Sequence, residues 1–108
     1  MISELNIDRD EAIAFIQIVK NGSTDVQSLA YALDWETLRA ENAAKLLVDR
    51  GMVIEIAPNK YESLHPRFAV TNRYRRRCQE DGLAFKKNLK VDNIGIILEK
   101  PYEDARTK

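Results

Sequence analysis

The first third of the chain alternates between apolar and polar positions with the spacing of two short helices. A broad apolar stripe over residues 8–22 predicts a first helix, with Asp8 as its capping residue and Gly22 at its end. A second stripe over residues 26–33 has its apolar positions at i, i+3, i+4 and i+7, and Thr24 is placed to cap it. Two amphipathic helices joined by a tight turn are therefore expected.

A third helix is predicted over about residues 35–50, starting after Asp34 and ending at Gly51. Its outward positions include Leu38 and Asp49. The inward face predicted from the 3.6-residue period consists of Ala40, Ala43, Ala44 and Leu47. Three alanines on one face indicate that this helix packs closely against its neighbours.

A β-hairpin is predicted next, with strands at 52–57 and 60–64 on either side of the turn pair Pro58-Asn59. Helix, helix and hairpin in this order are typical of a winged helix-turn-helix. We therefore expect a mainly α fold with a small β-hairpin, an α+β class, in which residues 1–65 form the winged helix-turn-helix.

Residues 66–108 are expected to form a basic helix and a carboxy-terminal extension. Pro66 suits the first turn of a fourth helix that Gly82 ends. Its apolar side is expected at Phe68, Tyr74 and Cys78, together with Ala69 or Thr71. The stretch 91–100 fits either a strand or a helix, and we favour a helix capped by Asp92 that ends or kinks at Pro101. An apolar tail helix without a partner of its own predicts a dimer contact.

Composition excludes several classes of function. The 108 residues contain one cysteine and one histidine, which argues against a disulfide framework and a metal site. The amino terminus is polar and acidic, unlike a signal peptide, and no apolar run is long enough to span a membrane. No phosphate-binding loop, catalytic carboxylate pair or nucleophile–base set is recognisable. The expectation is a cytoplasmic protein that is not an enzyme and needs no cofactor.

The formal net charge is zero, but the charges are unevenly distributed. Residues 1–57 hold 5 basic and 10 acidic side chains, net −5, whereas residues 58–90 hold 9 basic and 3 acidic, net +6. The positive field therefore lies on the hairpin and the helix after it. A phosphate backbone responds to such a local patch rather than to the net charge.

Several segments resemble the DNA-binding domain of archaeal TrmB-type regulators. They are RDEAIAFIQIVKNG, VQSLAYAL, LLVDRGMV, and Lys60-Tyr61 followed by Pro66. The resemblance implies a winged helix in an archaeal transcription regulator that dimerises through the helix after the wing. Two departures matter: the third helix opens with Trp35-Glu36-Thr37-Leu38 instead of basic and small polar residues, and the effector domain of sugar-sensing members is absent. Sugar sensing is therefore not expected.

The predicted function is sequence-specific binding of double-stranded DNA and transcription regulation as a homodimer through residues 66–108. On the third helix, Arg39 suits guanine, Asn42 adenine and Lys45 a phosphate, with Thr37 beside them. The remaining predicted contacts are Lys60 on the wing and Arg67, Arg73 and Arg76 on the fourth helix.

Two alternatives remain open, one for the role of the arginines in residues 73–77 and one for the function of the domain. The five residues 73–77 spread around a whole helix, so at least one arginine must face away from any duplex, toward Glu80, Asp81 or a partner subunit. The acidic balance of residues 1–57 also fits a winged helix that acts as a protein–protein adaptor in the transcription or replication machinery, without DNA specificity of its own.

Overall fold

The computed structural model describes residues 5, 7–82 and 88–106, and of Arg106 only the backbone. Parts of the predicted extension, residues 83–87 and 107–108, lie outside the described residues. The elements in chain order are α1 (Arg9–Asn21), β1 (Ser23–Asp25), α2 (Val26–Leu33), α3 (Thr37–Asp49), β2 (Val53–Ala57), β3 (Lys60–Ser63), α4 (Pro66–Glu80) and α5 (Leu89–Arg106). This confirms a mostly helical α+β fold with a small antiparallel sheet.

The predicted hairpin is present as β2 and β3. Asn59 adopts the left-handed conformation at its turn, with φ of 60°, which an asparagine tolerates well. The sequence pattern missed β1, which pairs antiparallel with β3 to give the sheet order β1-β3-β2. Thr24 lies opposite Tyr61 in this pairing, so the sheet ties the end of α1 to the hairpin.

Two helix starts differ from the prediction. Asp25, not Thr24, caps α2: its carboxylate accepts a hydrogen bond of 2.7 Å from the backbone N–H of Ser28, while Thr24 is buried in β1. The helix α3 begins at Thr37 instead of residue 35, because Asp34 takes a left-handed conformation that ends α2. Its predicted inward face is confirmed, since Ala40, Ala43, Ala44 and Leu47 are all buried.

The tail segment is a helix, as favoured, but it does not lack a partner. It packs against α1 and α4, and Val91 and Leu98 belong to the same hydrophobic core as residues of α1 to α3. Its cap is Asn88 instead of Asp92, since the Asn88 side chain accepts hydrogen bonds from the first backbone N–H groups of α5. The helix also continues through Pro101 to its end.

The buried face of α4 matches the predicted one at Ala69 and Cys78 and differs from it at Phe68. Phe68 was expected on the apolar side but is 60% exposed, whereas Val70 and Arg73 point into the protein. Cys78 is buried, as predicted for a small hydrophobic residue. At about 100° per residue, Val70 and Arg73 lie roughly 200° and 140° around the helix from Phe68, so the side that is covered is the one opposite Phe68.

Side chains of α4 hold the carboxy-terminal end of α3. The Asn72 amide donates to the carbonyl of Gly51 at 3.0 Å, and the Arg76 guanidinium donates to the carbonyl of Asp49 at 2.8 Å. Carbonyls at the end of a helix have no partner within it, so such bonds fix its position. Gly51, with φ of 80°, allows the close approach: a Cβ there would lie 2.5 Å from the Asn72 amide nitrogen.

We predict that Gly51→Ala destabilises the protein more than Gly82→Ala. Both glycines have positive φ, but a Cβ at Gly82 meets nothing within 4 Å. Gly82→Ala therefore measures backbone strain alone, about 1–2 kcal/mol. Gly51→Ala adds the displacement of Asn72 and Arg76, a further cost of about 1–2 kcal/mol. Urea unfolding monitored by circular dichroism measures both, and equal losses would show that the contact between α3 and α4 carries no stability.

Candidate nucleic-acid interface

The outward face of α3 and the hairpin form one continuous surface. Thr37, Asn42 and Lys45 are exposed on α3, as predicted. Lys45 lines a shallow depression together with the hairpin residues 55–59, and Thr37 lines another with Asn59 at the hairpin turn. Lys45 and Thr37 are therefore brought together beside the predicted wing, whereas Asn42 lines a cleft between α3 and α1.

Arg39 is directed toward α1 and paired with a carboxylate there. Its Nε and Nη2 atoms donate to the two carboxylate oxygens of Asp10 at 2.9 and 2.7 Å, and its guanidinium carbon lies 4.2 Å from the ring centroid of Trp35. These hydrogen bonds hold the pKa of the Asp10 carboxyl below its usual value. Contact with a base would require Arg39 to leave Asp10.

Lys45 is also paired, with its ammonium group 2.8 Å from Glu41 one helical turn earlier. Hydrogen bonding to this carboxylate raises the pKa of Lys45. Both basic side chains of α3 therefore have an acidic partner within the chain. Exposed pairs of this kind contribute little to stability, so a phosphate is able to replace either carboxylate.

The remaining predicted contacts lie on the hairpin and α4. Lys60 is exposed in β3, next to the hairpin turn. Arg67 is exposed near the start of α4, with its guanidinium 3.7 Å from Glu99 of α5. Arg76 is exposed as well, although it donates to the end of α3.

Arg73 is not available to DNA, which corrects its prediction as a phosphate contact. The side chain is 1% exposed; its Nε donates to the carbonyl of Leu5 at 2.8 Å, and its Nη1 lies 2.6 Å from Glu80. The pairing with Arg73 lowers the pKa of Glu80. At least one arginine of residues 73–77 was expected to turn toward Glu80, Asp81 or a partner subunit. Arg73 confirms this by pairing with Glu80, and Arg77 pairs with Asp81 at 3.5 Å.

Sequence reasoning missed an acidic cleft of about 320 Å³ between the start of α1 and the outward side of α3. Its lining combines four carboxylates with apolar side chains: Asp8, Asp10, Glu11, Glu36, Leu38, Arg39, Asn42, Ala43 and Leu46. The net −5 over residues 1–57 was the available signal, but it did not indicate that these carboxylates converge. Within the described ranges, histidine, cysteine and carboxylate side chains form no group of three able to hold a metal ion. Among the same residues, no helix is long and apolar enough to cross a membrane.

Comparison with protein-family models, curated proteins and solved structures found no match for this chain. The resemblance to TrmB-type regulators therefore rests on the sequence motifs quoted above.

We predict that Arg73→Leu lowers the free energy of unfolding by about 2–3 kcal/mol, because it leaves the Leu5 carbonyl without its charged donor. Arg39→Leu serves as the control and is expected to cost clearly less, since its pair with Asp10 is exposed. Chemical denaturation of both variants tests the difference. A smaller loss for Arg73→Leu than for Arg39→Leu would contradict a structural role for Arg73.

Proposed function

We propose that this protein is a TrmB-type winged helix-turn-helix regulator that binds duplex DNA as a homodimer. The observation that supports this most is the arrangement around α3. The chain order α1-β1-α2-α3-β2-β3 and the sheet order β1-β3-β2 leave the polar face of α3 exposed beside the hairpin. A helix presented in this way fits the major groove, with the hairpin as a wing on the flanking backbone.

Each proposed contact has a defined role. Asn42 reads adenine and Thr37 an adjacent base edge, because both side chains are exposed in the amino-terminal half of α3. Lys45 and Lys60 bind phosphates on either side of the wing, and Arg67 and Arg76 extend the positive surface along the backbone. Arg39 reads guanine after exchanging Asp10 for the base. Affinity then falls steeply with salt, since each phosphate contact releases counterions.

The proposed homodimer pairs the outer surfaces of α4 and α5. Phe68, Ile96 and Ile97 remain exposed there after α5 has packed on α1 and α4. Phe68 adjoins Arg67, whose backbone lies against Gly95 of α5, so the three apolar side chains belong to neighbouring turns of the two helices. A second copy would cover them and supply the second α3 that a two-half-site operator needs.

The DNA model predicts that Asp10→Asn strengthens DNA binding. The substitution removes the carboxylate that competes with DNA for Arg39, and loss of such an exposed pair corresponds to a gain in affinity of roughly twofold to fivefold. Fluorescence anisotropy with fragments selected from a random duplex pool gives the affinity. Arg39→Ala is expected to weaken DNA binding. The double variant with Asp10→Asn and Arg39→Ala should bind DNA no more tightly than Arg39→Ala alone.

Glu103→Gln on α5 is the charge-matched control. It is expected to leave the affinity for DNA unchanged, because Glu103 lies outside the α3 surface. An equal gain for Glu103→Gln would show that Asp10→Asn acts through net charge alone. Absence of any fragment bound at low salt would refute the DNA model.

The homodimer model predicts that Ile97→Glu yields monomers. The side chain is 71% exposed in one subunit, so the substitution leaves the subunit folded while placing a charge in the proposed interface. Sedimentation equilibrium measures the mass, and Tyr31→Glu, at an exposed position on α2, is the control that keeps the dimer. A wild-type protein that is monomeric at every concentration would contradict this interface.

A second function is favoured by a separate observation. Both cations of α3 are paired, and the same helix exposes Leu38 and Leu46 to solvent. A near-neutral surface with exposed leucines suits a protein partner better than a phosphate backbone. The alternative is an adaptor of the transcription or replication machinery that uses the winged helix for protein contact.

A further inference from the structure

We propose that Gln27 of α2 is a further base-reading residue and that it recognises adenine in the major groove. This role rests on the proposed DNA binding. It adds a third element, α2, to a reading surface so far built from α3 and the hairpin.

The three elements meet at a depression of about 270 Å³. Its lining comes from the start of α2, the outward side of α3 and the hairpin turn: Asp25, Val26, Gln27, Thr37, Glu41 and Asn59. Gln27 is exposed there, and its side-chain amide makes no hydrogen bond with another described residue. Thr37, already proposed to contact a base edge, lies on the same depression. A base that contacts Thr37 therefore lies next to the free amide of Gln27.

The hairpin turn holds the start of α2 in place. The Asn59 carbonyl accepts a hydrogen bond of 3.0 Å from the backbone N–H of Val26. Next to this contact, Asp25 of β1 and Lys60 of β3 are paired in the sheet. Gln27 is therefore mounted on a backbone that is fixed to the wing, and a rigid element positions a reading side chain more precisely than a loop does.

The charges of the depression favour a base over a phosphate. Asp25 and Glu41 line it, and the described residues of its lining include no lysine or arginine, whereas the neighbouring depression at the hairpin contains Lys45. The hydrogen bond from the backbone N–H of Ser28 lowers the pKa of the Asp25 carboxyl, so this group is charged at neutral pH. Two carboxylates repel a phosphate, but they attract the amino group of a base.

Adenine matches the groups around Gln27. In the major groove adenine presents the N7 acceptor beside the N6 amino donor, and a glutamine amide bonds to both at once. Cytosine presents an amino group without an adjacent acceptor, so Gln27 would form one bond instead of two. Guanine and thymine place acceptor oxygens where Asp25 and Glu41 would repel them.

A base analogue tests this role in the full-length protein. A duplex selected by the wild-type protein from a random pool is the reference site, and fluorescence anisotropy gives its affinity at constant salt. Each adenine is replaced in turn by 7-deazaadenine, which lacks the N7 acceptor and keeps the amino group. We expect one adenine at which this replacement weakens wild-type binding about fivefold to tenfold and has no effect on Gln27→Ala.

Matched variants separate Gln27 from the other proposed contacts. Gln27→Ala is expected to weaken binding to the reference site about tenfold, and alanine at this exposed helical position does not threaten folding. Asn42→Ala should abolish the effect of 7-deazaadenine at a different adenine, because Asn42 lies on the other side of α3. Gln17→Ala on α1 is the control and should bind every duplex as the wild type does.

Three results obtained with a wild-type protein that binds DNA would overturn the role of Gln27 and leave the DNA model standing. They are unchanged affinity of Gln27→Ala for the reference site, an equal loss for all sequences, and an effect of 7-deazaadenine that persists at every adenine in Gln27→Ala. An equal loss for all sequences would identify a phosphate contact. A wild-type protein that binds no duplex at low salt would refute the DNA model and the role of Gln27 together, so the two failures are distinguishable.

Discussion

The position of α3 depends on how its carboxy-terminal end is held. Arg76 of α4 donates to the carbonyl of Asp49 at the end of the helix, and Asn72 of α4 donates to that of Gly51 just beyond it. Arg50, between them, pairs with Glu11 of α1. The alanine face of α3 contributes little side-chain area, so its packing relies on a close approach to the neighbouring helices. The polar contacts at its end fix the position of α3 along those helices. The helix α5 packs on both α1 and α4, and buried residues of all five helices belong to one core.

This arrangement links the outer helices to the exposed surface of α3. Asn72 and Arg76 of α4 touch the end of α3 directly, and Glu11 of α1 reaches the same end through Arg50. In the proposed homodimer, a change in how α4 and α5 pair with another copy would therefore act on the one element that both proposed functions use.

The sequence predicted the elements with strong local signals. The inward alanines of α3, the turn at Asn59 and the start of α4 at Pro66 follow from residue types whose preferences are local, and all three are confirmed. The strand β1 was missed because three residues carry no period, and its pairing with β3 depends on a contact across more than thirty positions. Arg73 was misassigned for the same reason: its burial follows from the carbonyl of Leu5, 68 residues away in sequence. The ion pairs of Arg39 and the convergence of four carboxylates at the cleft are likewise tertiary facts that no local pattern contains.

Arg39 and Asn42 line the acidic cleft beside α1, so the surface proposed to read bases adjoins a cluster of carboxylates. In the proposed DNA complex, Arg39 exchanges Asp10 for a base. Phosphate is favoured beside this cluster only when its carboxylates are neutralised. The exchange of Arg39 between Asp10 and a base is therefore the step at which the acidic residues of α1 oppose DNA binding.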